Sequence, residues 1–313
     1  MRRPLAFLVL VLALAPPGSA QVPEVPVFGL GAFERGEPIS ITADALEARD
    51  DGSRRVIQFR RNVRVRQGAL RLRTERLEAV YGAGAREPDS LSARGATRIE
   101  EGSRRALCSE VVYDRPGRTL VCRGEPAELW DGDDHIRGPE FHFDLADHRV
   151  EVRGGTHLEI QRAWLPESAE AEDELEALRG PGPVNVVSEH LEAREDGGDR
   201  TIRFSGAVAV TRGELSLRAD ELVLHFPEGA QQPERLVAQG EVVVREAARE
   251  ARCARAEYRP GLRTVLCDGG ARLRDGRDQL DSQTLHLDLG ARRVDATGSA
   301  VLRMDPRDDE EAS

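Results

Sequence analysis

The stretch VIQFRRNVRVRQ at 56–67 alternates apolar and polar side chains. Ile57, Phe59, Val63 and Val65 fall on one face, while Gln58, Arg60, Arg64 and Arg66 fall on the other. A period of two is the pattern of a strand with one buried face. The next stretch, LRLRTERLEAVY at 70–81, alternates through Leu70 and Leu72 and then changes phase to Leu77, Ala79 and Tyr81. A one-residue phase slip is what a β-bulge produces: the extra residue bends the strand and restores its inward face. The pattern therefore predicts long antiparallel strands, each bent near its middle.

Two short elements recur along the chain. The first is apolar-x-apolar-x-Gly, as in Leu91/Ala93/Gly95, Val150/Val152/Gly154, Ile202/Phe204/Gly206 and Val265/Cys267/Gly269. The second is a small residue followed three places later by a larger apolar one, as in Ala43/Leu46, Thr74/Leu77, Cys108/Val111 and Ser188/Leu191. Small residues let backbones close up at a bend. Turn signals such as Asp51-Gly52, Asp114-Arg115-Pro116-Gly117, Asp131-Gly132 and Asp275-Gly276 punctuate the strands. Each element returns roughly every 30 residues, so each unit reads as two bent strands, with four units per copy.

The whole pattern occurs twice. LEAR at 46–49 returns at 191–194, and Phe59, Gly68, Gly95 and Tyr113 match Phe204, Gly213, Gly240 and Tyr258, all 145 residues later. One deletion near 127–130 then makes the offset 144. The expectation is an all-β chain of two tandem domains, 39–160 and 186–304. Between them, 161–185 reads either as an acidic linker or as a short helix capped by Ser168 and stopped after Arg179. Residues 21–38 read as an irregular lead-in and 305–313 as an acidic disordered tail.

Composition then sets compartment and partners. Arg2 and Arg3 precede an apolar run from Leu5 to Ala15, followed by Gly18-Ser19-Ala20. This is the layout of a secretory signal peptide, cleaved near Ala20, and implies an oxidising space. The run is too short to span a bilayer as a mature helix. The net charge is −11, but the two folded segments carry only −1 and −2. The linker and the tail carry −4 each. No basic domain offers itself to nucleic acid.

No catalytic constellation appears. His135, His142, His148 and His157 have no metal-ligand spacing, and DGDD at 131–134 lacks the rest of a calcium loop. Neither a metal nor a cofactor is implied. Nine arginines crowd residues 54–76, among them Arg60, Arg64, Arg66, Arg71 and Arg73 on an outward face. They form either a solvated strand face or a surface for phosphate or an acidic partner, since guanidinium binds phosphate bidentately. The four cysteines form two pairs in the same frame, Cys108/Cys122 and Cys253/Cys267. If Tyr113 faces Arg118 across the turn and one residue bulges after Cys108, then Cys108 lies opposite Cys122. Two intradomain disulfides follow, with paired small core thiols as the alternative.

The order ISITADALEA, FRRNVRVRQGALRLRTERLEAVY, LSARGATRIE, CSEVVYD, LVCRGEPAEL and FHFDLADHRVEVRGG resembles the LptA/OstA-like domain of lipopolysaccharide export. The resemblance covers 39–160, and a more diverged copy covers 186–304. Arg61 stands where that family has glycine. The resemblance implies two open β-jellyrolls whose apolar interiors shield lipid acyl chains in the periplasm. It also implies partners: lipopolysaccharide or a related lipid, and other jellyroll domains toward the inner-membrane transporter and the outer-membrane translocon. Head-to-tail self-association is implied as well. Groove candidates are Ile57, Phe59, Val63, Val65, Leu70, Leu72 and Leu77, with Ile202, Phe204, Val208, Val210, Leu215, Leu217 and Leu222 in copy two. The alternative is a scaffold with a closed core and no lipid cargo.

Overall fold

The computed structural model describes residues 38–161 and 182–304, apart from residues 231 and 292. The signal peptide, most of the lead-in, the helix proposed between Ser168 and Arg179, and the tail lie outside the described residues. Eighteen strands form one antiparallel sheet. Copy one supplies β1 (Ser40–Thr42), β2 (Ala45–Asp50), β3 (Arg54–Gln67), β4 (Leu70–Gly82), β5 (Ser90–Glu101), β6 (Arg104–Asp114), β7 (Thr119–Asp131), β8 (Asp134–Asp144) and β9 (Arg149–Ile160). Copy two supplies β10 (Val184–Asp196), β11 (Asp199–Arg212), β12 (Leu215–Phe226), β13 (Arg235–Glu246), β14 (Arg249–Arg259), β15 (Thr264–Asp275), β16 (Asp278–Asp288), β17 (Arg293–Thr297) and β18 (Val301–Arg303). Among the described residues no α-helix occurs, and a single 3-10 turn spans Pro260–Leu262.

From β3 to β16, every successive pair of strands shifts register once, near mid-strand, as the phase slips require. Between β3 and β4, Arg60 faces Arg76 and Val63 faces Thr74, so Arg61 and Asn62 bulge against Glu75 alone. The bulged residues lie in the left-handed region, at φ 63° for Arg61 and 52° for Asn62. Asn62 fixes the bend by donating from Nδ2 to Asp44 Oδ2 at 2.7 Å. The arginine thus makes the bend that glycine makes elsewhere. Glycine is obligatory at Gly95, with φ 101°, where an added Cβ would lie 2.7 Å from the Cβ of Glu75. The small residues on the inner side of the bends do more than make room. Thr74 Oγ1 donates to the carbonyl of Arg94 at 2.9 Å, and Ser188 and Ser282 donate to carbonyls two residues on. Each hydroxyl satisfies a carbonyl that lies beside a break in the ladder.

The two copies are joined by more than a tether. Strand β10 begins at Val184, inside the stretch read as linker, and pairs with β9 from Ile160↔Val184 to Arg149↔Arg194. Across this seam Thr156 Oγ1 and Ser188 Oγ lie 2.8 Å apart and buried. The inner row Phe141, Val152, Leu191, Phe204 runs over the seam without interruption. Glu151, buried beside it, is pushed up by burial, but Arg153 and Arg149 hold its carboxyl below the usual range. The sheet does not close on itself: β2 pairs only with β3, and β17 and β18 pair only with β16.

Two sequence expectations need correction. In the β6–β7 hairpin, Tyr113 faces Leu120, not Arg118, because Asp114 and Thr119 close a four-residue turn. Gly117 N donates to Asp114 Oδ2 at 2.9 Å, and Arg118 takes φ 49° to complete the turn. The length difference between the copies lies at the β7 bulge, where 124–126 in copy one answer 269–270 in copy two, not at 127–130.

Candidate functional site

The mid-strand bends fold the sheet into two walls with apolar inner faces. One wall carries the row Val65, Leu72, Ile99, Ala106, Leu129. The other carries Phe59, Leu77, Ala93, Val111, Cys122. Between them in copy one lies a cavity of about 420 Å³, lined by both rows together with Ile41, Leu70, Ala79, Tyr81, Tyr113 and Phe143. That volume falls in the range of ligand pockets, roughly 300–1,000 Å³. The chain leaves the space open because its inner face is built small: Ala79, Ala93 and Ala106 place single methyl groups where larger side chains would meet across the gap.

The loop 83–89 between β4 and β5 covers part of this space, with Glu87 and Pro88 among the lining residues. Arg115 ties the loop down through Asp89 at 2.7 Å and Glu87 at 3.1 Å. On its other side Arg55 lies over the Tyr81 ring, 4.5 Å from its centroid, and donates to the Ala85 carbonyl. These residues were not among the sequence candidates; the only signal is the Gly/Pro-rich break between two strands.

Of the copy-one groove candidates, Phe59, Val65, Leu70, Leu72 and Leu77 line the cavity. Ile57 shares their inner face, opposite Ala79, but is half-buried. Val63 is fully buried at the bend, opposite Thr74. In copy two, Phe204, Val208 and Leu222 are buried in the core, whereas Ile202, Val210, Leu215 and Leu217 are half-buried.

The five arginine candidates are exposed on the outer face and stand in like-charged pairs: Arg60 faces Arg76, Arg64 faces Arg73, and Arg66 faces Arg71. Arg73 in turn faces Arg98 on β5. Arg60 has a partner in Glu47 at 3.0 Å, whereas Arg64, Arg66, Arg71 and Arg73 form no ion pair with any described residue.

Both disulfides are present, with Cα–Cα separations of 5.7 Å for Cys108–Cys122 and 5.8 Å for Cys253–Cys267. They do not join residues opposite each other in register. Cys122 faces Val111 and Cys267 faces Ala256, so each bridge runs diagonally across the bend, where the bulge brings the strands together. The histidines are dispersed over the sheet. His135 stacks on Trp130 with centroids 4.6 Å apart and meets Glu128 at 2.9 Å, while His157 contacts Arg137 and Asn185. Among the described residues no group of His, Cys, Asp and Glu is arranged to hold a metal.

The sequence profile of one family, described as "LptA/(LptD N-terminal domain) LPS transport protein", matches residues 40–149 and 185–293. The chain belongs to this family. LptA/LptD N-terminal domains are parts of lipopolysaccharide transport proteins, not enzymes. No curated protein is a significant match to the chain. A crystal structure of LptH from Pseudomonas aeruginosa, the LptA-homologous periplasmic component of the lipopolysaccharide transport device, is similar at 15% identity. That match covers 41% of this chain and 97% of LptH, with a TM-score of 0.34. No helix among the described residues is long and apolar enough to cross a membrane.

Proposed function

We propose that this protein is a periplasmic bridge component that shields lipopolysaccharide acyl chains in the apolar groove on their way to the outer membrane. The cavity between the two walls of copy one carries the reading. It is largely apolar, walled mainly by strands with the loop 83–89 over part of it, and sized for alkyl chains. Burying about ten methylenes there contributes on the order of 8 kcal/mol at ~0.8 kcal/mol each, before the cost of ordering lipid and groove.

The ends of the sheet fit the second half of the reading. Leu46 at one end and Leu302 at the other are 62% and 60% exposed, large apolar residues on strands with one unpaired edge. Such edges recruit further strands. The β9–β10 seam is an internal example of the last strand of one jellyroll pairing with the first of the next. A neighbouring copy, or the jellyroll of a transporter or translocon partner, docks on the terminal edges in the same manner.

Displacement of a fluorescent fatty acid by lipopolysaccharide tests the groove. Ala106→Trp and, separately, Ala93→Trp fill the cavity from opposite walls and are expected to weaken binding about tenfold, since a tenfold loss corresponds to only ~1.4 kcal/mol. Unchanged affinity in both variants, or no displacement by the parent protein, returns the chain to the class of closed-core scaffolds.

A further inference from the structure

We infer that the outer face of β3–β5 is a binding site for the phosphate groups on the sugar headgroup of a glycolipid whose acyl chains lie in the copy-one groove. The inference rests on the carrier reading and adds a second contact, on the opposite side of the same wall.

Arg64, Arg66, Arg71, Arg73 and Arg98 stand on three adjacent strands, all exposed. None forms an ion pair with a described residue. Directly opposed cross-strand neighbours have Cβ atoms ~4.5–5.5 Å apart, and like charges at that distance oppose folding. Copy two shows that the fold does not need them. At the same register positions it carries Ala209, Thr211, Ser216, Arg218 and Val243, and the strands pair in the same way. On copy two's outer wall, by contrast, arginines such as Arg252 and Arg272 are matched by Glu250 and Asp281. Arg71 also faces Glu100 on β5, but the like-charged pairs of copy one, unmatched among the described residues, oppose folding where copy two does without them, which suits a surface kept for a ligand.

The ligand's chemistry follows from the grid. Fixed guanidinium groups on neighbouring strands suit closely spaced phosphates, each taken bidentately. A protein partner needs a buried apolar anchor inside its charged rim, and no large exposed hydrophobic residue lies on β3, β4 or β5. Position ties the grid to the groove. Arg66 and Arg71 flank the β3–β4 turn, and their chain neighbours Val65, Gln67, Leu70 and Leu72 line the cavity. A lipid lying with its chains inside and its headgroup over this lip brings the headgroup phosphates to the arginines.

The test titrates a rough lipopolysaccharide, before and after enzymatic removal of its headgroup phosphates, into the parent protein and into R64A/R66T/R71S. These replacements are the residues that copy two carries at the same positions, so the fold tolerates them, and a melting curve confirms it. The parent is expected to bind the phosphorylated lipid about tenfold more tightly than the dephosphorylated one. The variant is expected to bind both alike, with its affinity for the dephosphorylated lipid unchanged. Equal binding of the two lipids by the parent, or an equal loss for both in the variant, overturns the phosphate site and leaves the groove reading standing. Binding of neither lipid overturns both. A variant that loses only its binding to phosphatidylglycerol vesicles places a membrane surface, not the cargo headgroup, on these arginines, and also overturns the inference.

Discussion

Replacing Cys108 and Cys122 by alanine removes a bridge that closes a loop with a sequence separation of 14 across the β6–β7 bend. Cross-linking a loop of that length takes about 3 kcal/mol of conformational freedom from the unfolded chain. Alanine is the right replacement because both sulfurs sit in the apolar interior, at 5% and 2% exposure, where a serine hydroxyl would add its own desolvation cost. The Cys253–Cys267 bridge has the same separation, so its removal costs the same, and the losses add because the bridges lie in different copies. With a urea slope of roughly 3 kcal/mol per molar, each double substitution lowers the unfolding midpoint by about 1 M. Parent protein treated with dithiothreitol must then unfold near the midpoint of a variant with all four cysteines replaced by alanine. A fall of less than about 0.3 M in either variant rules out this constraint on the unfolded chain. So does an unmoved midpoint in parent protein whose thiols titrate as fully reduced.

Other consequences follow from the same geometry. Glu250 lies between Arg252 at 2.6 Å and Arg245 at 2.7 Å, and Asp281 is bound by Arg272, Gln279 and Arg303. Their carboxyls are held down from 4.5 and 3.8 to about 2. Because the folded values lie below the unfolded ones, their stabilisation is complete above about pH 4.5 and is lost as the pH falls toward 2. The melting temperature should hold from pH 7 to 5 and then drop, less steeply in Glu250→Gln; a flat profile to pH 3 contradicts this. Arg61→Gly relieves a left-handed arginine and should raise stability by about 1 kcal/mol, whereas Gly95→Ala should lower it by at least about 2 kcal/mol. The opposite order in urea titrations would mean that the bends are not the constraint described. Because β9 and β10 share one ladder, calorimetry should record the two copies melting in a single transition, with enthalpies from calorimetric area and transition width in agreement. Two resolved transitions would show the seam to be weaker than its pairing.

Much of this architecture is written in local pattern. The phase slip in 70–81 marks the bend at Thr74 and Glu75, and the two cysteine pairs mark one hairpin in each copy. What the sequence leaves hidden depends on distances set by other strands. The register of the β6–β7 hairpin rests on how many residues each bulge absorbs, and two on one side against four on the other cannot be counted from an alternating pattern. The β9–β10 seam is hidden because an acidic stretch with Gly180 and two prolines reads as a break, although Val184 and Val186 already carry the alternation of the next strand. Inner-face residues such as Phe59 and Leu72 are legible as inward. Whether inward means packed or open depends on what faces them across the gap, and the alanines at 79, 93 and 106 decide that only once the two walls are folded together. The arginine cluster is plain in the sequence, but its like-charged pairing appears only with the register.

Site-specific photocrosslinking in cells reports whether lipid chains occupy the space between the walls of copy one. A photoreactive phenylalanine analogue at Phe59, Leu72 or Leu77, on the inner rows, should capture lipopolysaccharide. The same probe at Gln58 or Glu78, one residue out of phase on the outer face of the same strands and across the bend from Arg64, Arg66, Arg71 and Arg73, should not. Capture that alternates with the strand period is the predicted result; capture from neither face, or from both alike, contradicts the account.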